Sequence, residues 1–158
     1  MRVGWGFDAH PLDSDPPLKL GGVVMTSSMG VSATSDGDVL AHAVTDALLG
    51  ACALGDIGQH FPSDDPSSVG ADSMDLLRQV VAMAAAADRK PVHVDVTVVA
   101  EKVRVAPQRD AIRDSLSRAM GLDVGEVSVK ATTTDGLGFI GKEEGIAAIA
   151  VVTVEALS

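Results

Sequence analysis

The chain is rich in apolar residues but nearly lacks aromatic ones, and this feature constrains its core more than any other. Apolar residues make up 46% of its 158 positions, whereas aromatic residues make up 3% and tyrosine is missing. A core of this composition has to be built from valine, alanine, leucine, isoleucine and methionine. Such small aliphatic side chains favour close packing of helices on a sheet over a flat aromatic surface for ligand stacking.

The charge of the chain excludes several classes of partner. The formal net charge is −10. Binding to a polyanion depends on lysine and arginine side chains that neutralise phosphates, so we expect neither a nucleic-acid partner nor an anionic membrane surface. A small nucleotide stays open as a ligand, because metal ions can supply positive charge locally.

Cys52 is the single cysteine, so no intrachain disulfide can form, which fits a reducing compartment. It lies in an apolar run and is expected to be a small core residue rather than a reactive thiol. The N-terminus has a charge where a signal peptide has its apolar segment, and the longest apolar stretches are far shorter than the ~20 residues of a membrane helix. We therefore expect a cytoplasmic protein with one domain over residues 1–158.

Apolar periodicity, caps and glycines predict the order of the secondary structure. The predicted strands span residues 2–10, 92–100, 127–133 and 146–157, a hairpin or broken strand spans 18–25, and the predicted helices span 39–54, 73–87 and 108–120. Residues 11–17 and 56–70 are predicted loops, and Gly55 and Gly121 are the expected helix stops. This order predicts an α+β fold, with a mostly four-stranded mixed sheet and helices packed on one face. The sheet face without helices would expose apolar side chains unless another subunit packed on it, so we expect an oligomer.

Asp8, His10 and His42 form a candidate metal site. Asp8 and His10 lie two residues apart on a predicted strand, so their side chains point to the same face. His42 lies on the first predicted helix. One carboxylate and two imidazoles suit zinc and leave a fourth position open, as in catalytic sites. The spacing alone also allows surface or core histidines.

Asp38 and Asp46 flank His42 at intervals of four residues on the same helix face. They are either a solvated acidic stripe or carboxylates that orient His42 and raise its basicity. Of the other histidines, His93 is expected to be structural and His60 to flank the loop.

Two further segments carry groups that suit phosphate. Residues 130–135 end a strand and enter a glycine-rich turn, where threonine hydroxyls and free backbone N–H groups could hold phosphate oxygens. Threonine is also common in strands, so a structural role stays open. Asp135 is a candidate ligand for Mg²⁺. Residues 101–104 bring two cations together, either as a solvated patch or as a site for a nucleotide diphosphate.

Taken in order, these segments closely resemble the 2-C-methyl-D-erythritol 2,4-cyclodiphosphate synthase family from end to end. The motifs that carry the resemblance are Arg2–His10, Ser35–Ala51, Leu54–Gly58 with Phe61-Pro62 and Asp65-Pro66, Gly70–Ser73, Val129–Thr134, Leu137–Phe139 and Glu144–Ile146. The block from Ser35 to Ala51 is long and very specific.

The resemblance implies a reaction, two kinds of metal and an assembly. In this family the 2-phosphate of 4-diphosphocytidyl-2-C-methyl-D-erythritol 2-phosphate attacks the β-phosphorus, CMP leaves, and a cyclic diphosphate of the non-mevalonate isoprenoid pathway forms. One zinc ion per subunit is held by the residues that match Asp8, His10 and His42, and Mg²⁺ or Mn²⁺ binds the substrate diphosphate. Family members are homotrimers with active sites between subunits, sheets that face a central channel, and in some cases an isoprenoid diphosphate bound there.

The same resemblance carries site roles onto this chain. The matching catalytic positions are Thr34 and Thr133, the latter matching a residue that stabilises the transition state. Substrate contacts are implied for Asp8, His10, Thr34, Ser35, Asp56, Ile57, Gly58, Phe61, Pro62, Ser63, Asp64 and Asp65. Nucleotide and phosphate contacts are implied for Ala100, Glu101, Lys102, Val103, Arg104, Val105, Ala106, Thr132, Thr133, Thr134 and Asp135. Phe139 and Lys142 match positions toward the channel.

The chain departs from the family pattern at positions near the implied site. Thr34 stands where a histidine is usual and cannot carry its charge, so we expect a slower chemical step. Val103-Arg104 replaces Pro-Lys, Asp135 replaces a glutamate, and Lys142 replaces an arginine, which loses bidentate phosphate binding. Trp5, where a smaller residue or a histidine is usual, is expected to be a packing variation.

Three other interpretations stay open. A metal-assisted phosphohydrolase would use water as the nucleophile and release a linear product. A non-catalytic or weakly active trimer would bind nucleotide or isoprenoid diphosphate without turnover. The chain could also be part of a bifunctional protein that carries the preceding cytidylyltransferase, although a free enzyme is the simpler expectation.

Overall fold

The first strand presents glycines to one side of the sheet and large apolar residues to the other, and this alternation sets the architecture. The computed structural model describes residues 1–157. Strand β1 (Arg2–Asp13) turns Gly4 and Gly6 toward a helix, where both are buried. Its opposite face carries Val3, Trp5 and Phe7, whose exposed fractions are 63%, 62% and 48%.

The main sheet has five strands in the order β4-β1-β7-β5-β6. The other members are β4 (Gly30–Val31), β5 (Arg89–Val99), β6 (Val127–Thr132) and β7 (Gly145–Ala156). β7 is antiparallel to both β1 and β5, and β5 is parallel to β6. A separate hairpin pairs β2 (Lys19–Leu20) with β3 (Val23–Val24). The α+β class is confirmed, but the expected four-stranded sheet is wrong by one strand.

Helices cover one face of this sheet. They are α1 (Val39–Cys52), α2 (Ile57–His60), α3 (Ser73–Ala86), α4 (Arg109–Met120) and α5 (Gly138–Gly141), with short 3-10 turns at Pro66–Ser68, Ala106–Gln108 and Val124–Glu126. The core lies between the helices and the sheet and consists of aliphatic side chains such as Leu40, Val44, Leu48, Val96 and Val152, all fully buried. Cys52 is buried in this core with a free thiol, as expected.

Helix α1 lies directly against β1 because two glycines leave room for it. A Cβ atom on Gly4 would lie 1.9 Å from the carbonyl oxygen of Ala47, and one on Gly6 would lie 2.1 Å from that of Ala43. Real Cβ atoms do not approach backbone this closely. The glycines therefore bring His42 of α1 next to the end of β1.

Three strands end at the same edge of the sheet. Because β1 and β5 are each antiparallel to β7, they run in the same direction, and β6 runs parallel to β5. The carboxyl ends of β1, β5 and β6 therefore share one edge. This arrangement places the last part of β1, which contains Asp8 and His10, on the same side of the molecule as the loops that follow β5 and β6.

Local details differ from the sequence expectations at β1, at β4 and at the end of α1. β1 continues through Pro11 to Asp13, where a loop was expected, because Leu12 and Asp13 pair with β4. The two-residue β4 is too short for any periodic pattern to reveal it. Helix α1 ends at Cys52 and is capped by Ala53, which adopts the left-handed conformation with φ 57°, and not by Gly55. Among residues 1–157, the longest and most apolar helices still fall short of a membrane crossing.

Candidate functional site

Asp8, His10 and His42 converge at the end of β1. Asp8 Oδ2 lies 2.9 Å from His10 Nε2 and 3.0 Å from His42 Nδ1. The two imidazole nitrogens are 3.2 Å apart. The side chains are only partly exposed, at 26% for Asp8, 19% for His10 and 12% for His42. The strand register and the close seating of α1 thus bring together the three side chains that the sequence singled out.

The electrostatics of this cluster favour an ionised carboxylate. Burial alone would raise the pKa of Asp8, but the hydrogen bonds and charges of His10 and His42 outweigh burial and bring that pKa to about 2. Burial lowers the pKa of His42, but the hydrogen bond and charge of Asp8 outweigh this effect and raise it. The three residues therefore present an ionised carboxylate oxygen beside two imidazole nitrogens.

The donor set fits a small divalent cation. Each of the three residues offers one ligand atom, and these atoms lie within 4.8 Å of one another. In a tetrahedral zinc site with ligand distances near 2.0–2.1 Å, neighbouring donors are roughly 3.3 Å apart. The donors in this structure, 2.9–3.2 Å apart, need to separate only by a few tenths of an ångström. One carboxylate and two imidazoles also match the ligand types that zinc prefers.

The far side of the His42 ring contacts the hydroxyl of Ser35, which the sequence named as a substrate contact, and that of Ser73, which it did not name as a site residue. His42 Nε2 lies 2.8 Å from Ser73 Oγ and 3.3 Å from Ser35 Oγ. Ser73 is fully buried at the start of α3, and its hydroxyl donates a hydrogen bond to Asp36 Oδ1. In the sequence Ser73 stood only at the end of the Gly70–Ser73 motif and at the start of a predicted helix, and nothing connected it with a histidine 31 residues away.

Asp38 and Asp46 have other partners. Asp38 is fully buried and its carboxylate accepts from the backbone N–H groups of Gly21, Gly22 and Ala41, at 2.9, 2.7 and 3.0 Å. Asp46 Oδ1 accepts from Ile57 N at 3.1 Å. Neither carboxylate is bonded to the His42 ring, and neither belongs to a purely solvated stripe. Asp38 instead caps α1 and anchors the hairpin.

A cavity of about 340 Å³ opens beside the three candidate ligands. Its wall contains the three candidate metal ligands and seven further residues that the sequence named as substrate contacts. These are Thr34, Ser35, Asp56, Ile57, Gly58, Phe61 and Ser63. The rest of the wall is formed by Phe7, Ala33, Asp46, Ser68, Ala71 and Leu76. The segment 56–70 contributes to this wall through α2, which is capped by Asp56. This segment was expected to be an irregular loop, so the short helix is a difference from the sequence expectation.

Some of the predicted contacts lie outside this wall. Pro62, Asp64 and Asp65 are exposed, and Asp65 accepts from the backbone and hydroxyl of Ser67 at the start of a 3-10 turn. His60 Nε2 donates to the carbonyl of Leu54 at 2.7 Å, which gives it a structural role in the loop.

A second cavity, of about 490 Å³, lies where β5 ends. Ala100, Glu101, Lys102 and Val103 line it together with residues 26–29. The side chain of Val105 is 2% exposed and belongs to the core, so only its backbone could meet a ligand. Arg104 and Ala106 are exposed nearby in sequence.

The loop at the end of β5 is tied to the glycine-rich turn after β6. Glu101 Oε1 accepts from Gly136 N at 3.1 Å, and Lys102 Nζ pairs with Glu143 at 2.6 Å. Asp135 N donates to Thr133 Oγ1 at 3.2 Å, so the turn is folded on itself. Thr132, Thr133 and Asp135 are exposed at its surface, as are Phe139 and Lys142 further along. The predicted nucleotide and phosphate segments are therefore neighbours.

Within one chain, the nucleotide and phosphate segments lie away from the three candidate metal ligands. Asp8 pairs with Ala148, Ala148 with Val98, and Val98 with Ala131 across the sheet. Three strand spacings separate Asp8 from Ala131, or roughly 14 Å. The candidate site thus consists of two parts at one sheet edge.

Comparison with known proteins gives a consistent result. Residues 1–155 match the YgbB family. The chain is 49% identical, over 98% of both chains, to the 2-C-methyl-D-erythritol 2,4-cyclodiphosphate synthase of Symbiobacterium thermophilum. A solved structure of a synthase of that name, in a CDP-bound form, is 37% identical with a TM-score of 0.90 over 98% of this chain and 100% of the other.

The bifunctional IspDF of Campylobacter jejuni is also similar. It is 39% identical with a TM-score of 0.95. The match covers 98% of this chain but 42% of that protein, so the similarity is confined to one part of it.

Proposed function

Because the chain belongs to the 2-C-methyl-D-erythritol 2,4-cyclodiphosphate synthase family, it is a lyase of isoprenoid-precursor synthesis, and we propose that its reaction takes place at the two-part site described above. The activity is the cyclisation of 4-diphosphocytidyl-2-C-methyl-D-erythritol 2-phosphate with release of CMP. The observation that carries the assignment of the site is the convergence of Asp8, His10 and His42 at the wall of the first cavity. The domain of this activity is proposed to span residues 1–158.

We propose that Asp8, His10 and His42 hold one zinc ion. The donor types and their separations support this choice. When bound, zinc would supply positive charge to phosphate oxygens, which lets a phosphate dianion approach a diphosphate. The surrounding chain has to hold the ligands and keep the fourth position open to the cavity.

The reaction requires few catalytic side chains. A phosphate dianion is a competent nucleophile at neutral pH, so no strong general base is needed. The attack is intramolecular, and holding the substrate folded back on itself contributes much of the rate. The wall formed by Asp56, Ile57, Gly58 and Phe61 is proposed to bind the methylerythritol and its phosphate in this folded form.

The cytidine and the diphosphate are assigned to the second part of the site. A CDP-bound relative of the same fold supports a nucleotide ligand. We propose that residues 100–106 frame the cytosine and the CMP phosphate, and that the turn 132–135 holds the diphosphate through Thr133 and backbone N–H groups. Asp135, which is exposed on this turn, is the proposed protein ligand for Mg²⁺ or Mn²⁺ on the diphosphate.

We propose that the active site is completed between subunits of a homotrimer. The strip of Val3, Trp5 and Phe7 is exposed on the open face of the sheet, where a partner would cover it. The separation of the two site parts within one chain also supports a shared site. In such a trimer Phe139 and Lys142 would lie toward the channel, where Lys142 could pair with an isoprenoid diphosphate.

The decisive experiment is product analysis by ³¹P NMR with the diphosphocytidyl substrate and Mg²⁺, before and after removal of zinc. Cyclic diphosphate and CMP, lost on chelation and restored by zinc, are the expected result. A linear product would show that water is the nucleophile and that the chain is a phosphohydrolase. No CMP from folded, zinc-loaded protein would leave a trimer that binds nucleotide or isoprenoid diphosphate without turnover.

A further inference from the structure

Three side chains form a continuous hydrogen-bonded chain behind the metal cluster. Asp36 contacts Ser73 Oγ, and Ser73 Oγ lies 2.8 Å from His42 Nε2. The other ring nitrogen of His42, Nδ1, faces Asp8 at 3.0 Å and His10 at 3.2 Å. The whole chain is shielded, since Ser73 is fully buried and the Asp36 and His42 side chains are 10% and 12% exposed.

The direction of these hydrogen bonds follows from the chemistry of the groups. An ionised carboxylate can only accept, so the single hydrogen of the Ser73 hydroxyl is donated to Asp36. The lone pairs of Ser73 Oγ then remain for His42, and His42 Nε2 has to donate to them. Ser35 Oγ, 3.3 Å from the same nitrogen, is a second acceptor.

Asp36 is itself held so that it cannot turn away. Its Oδ2 accepts from Ser73 N at 3.2 Å, and its Oδ1 accepts from Asp38 N at 3.2 Å. Lys19 Nζ lies 3.9 Å from Oδ2 and adds a positive charge on the outer side. The carboxylate is thus fixed on the backbone at the starts of α1 and α3.

We propose that Asp36 and Ser73 are positioning residues that fix His42 in the tautomer with its hydrogen on Nε2, so that the Nδ1 lone pair points at the metal. This inference rests on the proposed metal role of Asp8, His10 and His42. The 3.0 Å between His42 Nδ1 and Asp8 Oδ2 is a hydrogen-bond distance, and in the Nε2–H tautomer a cation would replace the shared hydrogen and face both the Nδ1 lone pair and the Asp8 oxygen. Groups behind metal-binding histidines commonly act in this way.

The assignment is tested by zinc affinity, measured by competition with a chromophoric chelator on the full chain. Ser73→Ala removes the acceptor and is expected to weaken zinc binding by roughly 10- to 100-fold, the usual effect of losing such a partner. Ser73→Thr keeps the hydroxyl and should retain most of the affinity. Asp36→Asn allows an amide N–H to face Ser73, which frees the hydroxyl to donate to His42, and should weaken binding as well.

Asp72→Ala is the matched control for a general loosening of α3. Asp72 is exposed, precedes Ser73 and caps the same helix by accepting from Met74 N at 2.8 Å, but it does not belong to the Asp36–Ser73–His42 chain. It should lower the thermal unfolding temperature and leave zinc affinity within about twofold of the parent. An equal loss of affinity in Asp72→Ala and Ser73→Ala would overturn the inference, since the effect would then come from the helix.

Long-range ¹H–¹⁵N NMR of the histidine rings reads the tautomer directly. In the zinc-loaded parent, the His42 hydrogen is expected on Nε2 and the metal on Nδ1. A hydrogen on Nδ1, or Ser73→Ala and Asp36→Asn variants that both bind zinc as tightly as the parent, would overturn the proposal. A parent that binds no zinc would overturn the metal assignment itself, a result distinct from unchanged affinity in the variants.

Discussion

Gly6 of β1 lies so close to the backbone of Ala43 in α1 that a Cβ atom on the glycine would be 2.1 Å from the Ala43 carbonyl oxygen. Ala43 immediately follows His42, the one candidate metal ligand that comes from a helix. Gly6 in turn precedes Asp8 on the same face of β1. The distance between strand and helix therefore sets the distance between the candidate ligands.

Gly6→Ala is expected to move α1 away from β1. Overpacking a dense core costs about 1–3 kcal/mol, and backbone is the obstacle at this position, so a loss of roughly 3 kcal/mol in the free energy of unfolding is expected. Zinc affinity should fall together with stability. Chemical denaturation and chelator competition measure the two effects.

Gly50→Ala is the matched control for that substitution. Gly50 is exposed on α1, and apart from its chain neighbours and the backbone of its own helix no atom of residues 1–157 lies within 4 Å of a Cβ placed there. Alanine favours helix over glycine by about 1 kcal/mol, so this variant should be slightly stabilised and keep its zinc affinity. A Gly6→Ala protein with unchanged stability and metal binding would show that the close contact does not set the site.

Asp38→Ala should destabilise the protein by roughly 3 kcal/mol, because it removes a helix cap and leaves buried N–H groups without an acceptor. Asp38→Asn should lose less. In the parent, Oδ1 accepts hydrogen bonds from both Gly21 N and Ala41 N, whereas Oδ2 accepts from Gly22 N alone. The amide oxygen of asparagine can take the place of Oδ1 and keep two of these three hydrogen bonds. Asp72→Ala, which removes an exposed cap, should cost about 1 kcal/mol. Equal losses for Asp38→Ala and Asp72→Ala in urea denaturation would contradict this ranking.

Thr34→His should raise kcat for cyclisation. Thr34 is exposed in the cavity wall beside the metal cluster and has no charge to offer a phosphate. A histidine that adds about 1.4 kcal/mol of transition-state stabilisation would increase the rate roughly tenfold. Thr34→Gln introduces a side chain of about the length of histidine but without a charge, so it should raise kcat little. Steady-state rates of CMP release decide the matter, and a fall in kcat for the histidine variant would refute the prediction.

Glu101→Ala should release the glycine-rich turn from the end of β5. The hydrogen bond from Gly136 to a carboxylate is of a class that contributes about 1.5–3 kcal/mol, so KM for the cytidine substrate is expected to rise roughly tenfold. Glu101→Gln retains an acceptor oxygen and should restore most of the affinity. If alanine and glutamine variants have the same KM, then Glu101 does not order the turn.

Trp5→Glu should break self-association, because it places a charge in the strip of Val3, Trp5 and Phe7. Trp5 and Phe7 are stacked with ring centroids 6.3 Å apart, so the strip is one continuous surface. Sedimentation velocity should report a trimer for the parent and smaller species for the variant. Val124→Glu, at a 43% exposed valine outside the sheet, should remain a trimer. A parent that sediments as a monomer would contradict the proposed assembly.

The local pattern of the sequence was enough to predict the α+β class and the three residues of the candidate metal site. Asp8 and His10 share a face because side chains alternate along a strand, and this needs no knowledge of distant segments. The starts of α1 at residue 39 and of α3 at residue 73 follow from the same kind of local rule, and both are observed. The family motifs added roles for residues whose chemistry alone left alternatives open.

Contacts between distant segments were decided only by the tertiary structure. Ser73 meets His42 across 31 positions and Asp36 across 37, and no periodicity connects such pairs. Asp38 was expected either to face solvent or to orient His42, but packing buries it against the backbone of the hairpin. β4 is defined by its pairing with β1, since two residues have no pattern of their own. Local rules determine which groups a segment can offer, whereas close packing of strand on helix determines which of those groups meet.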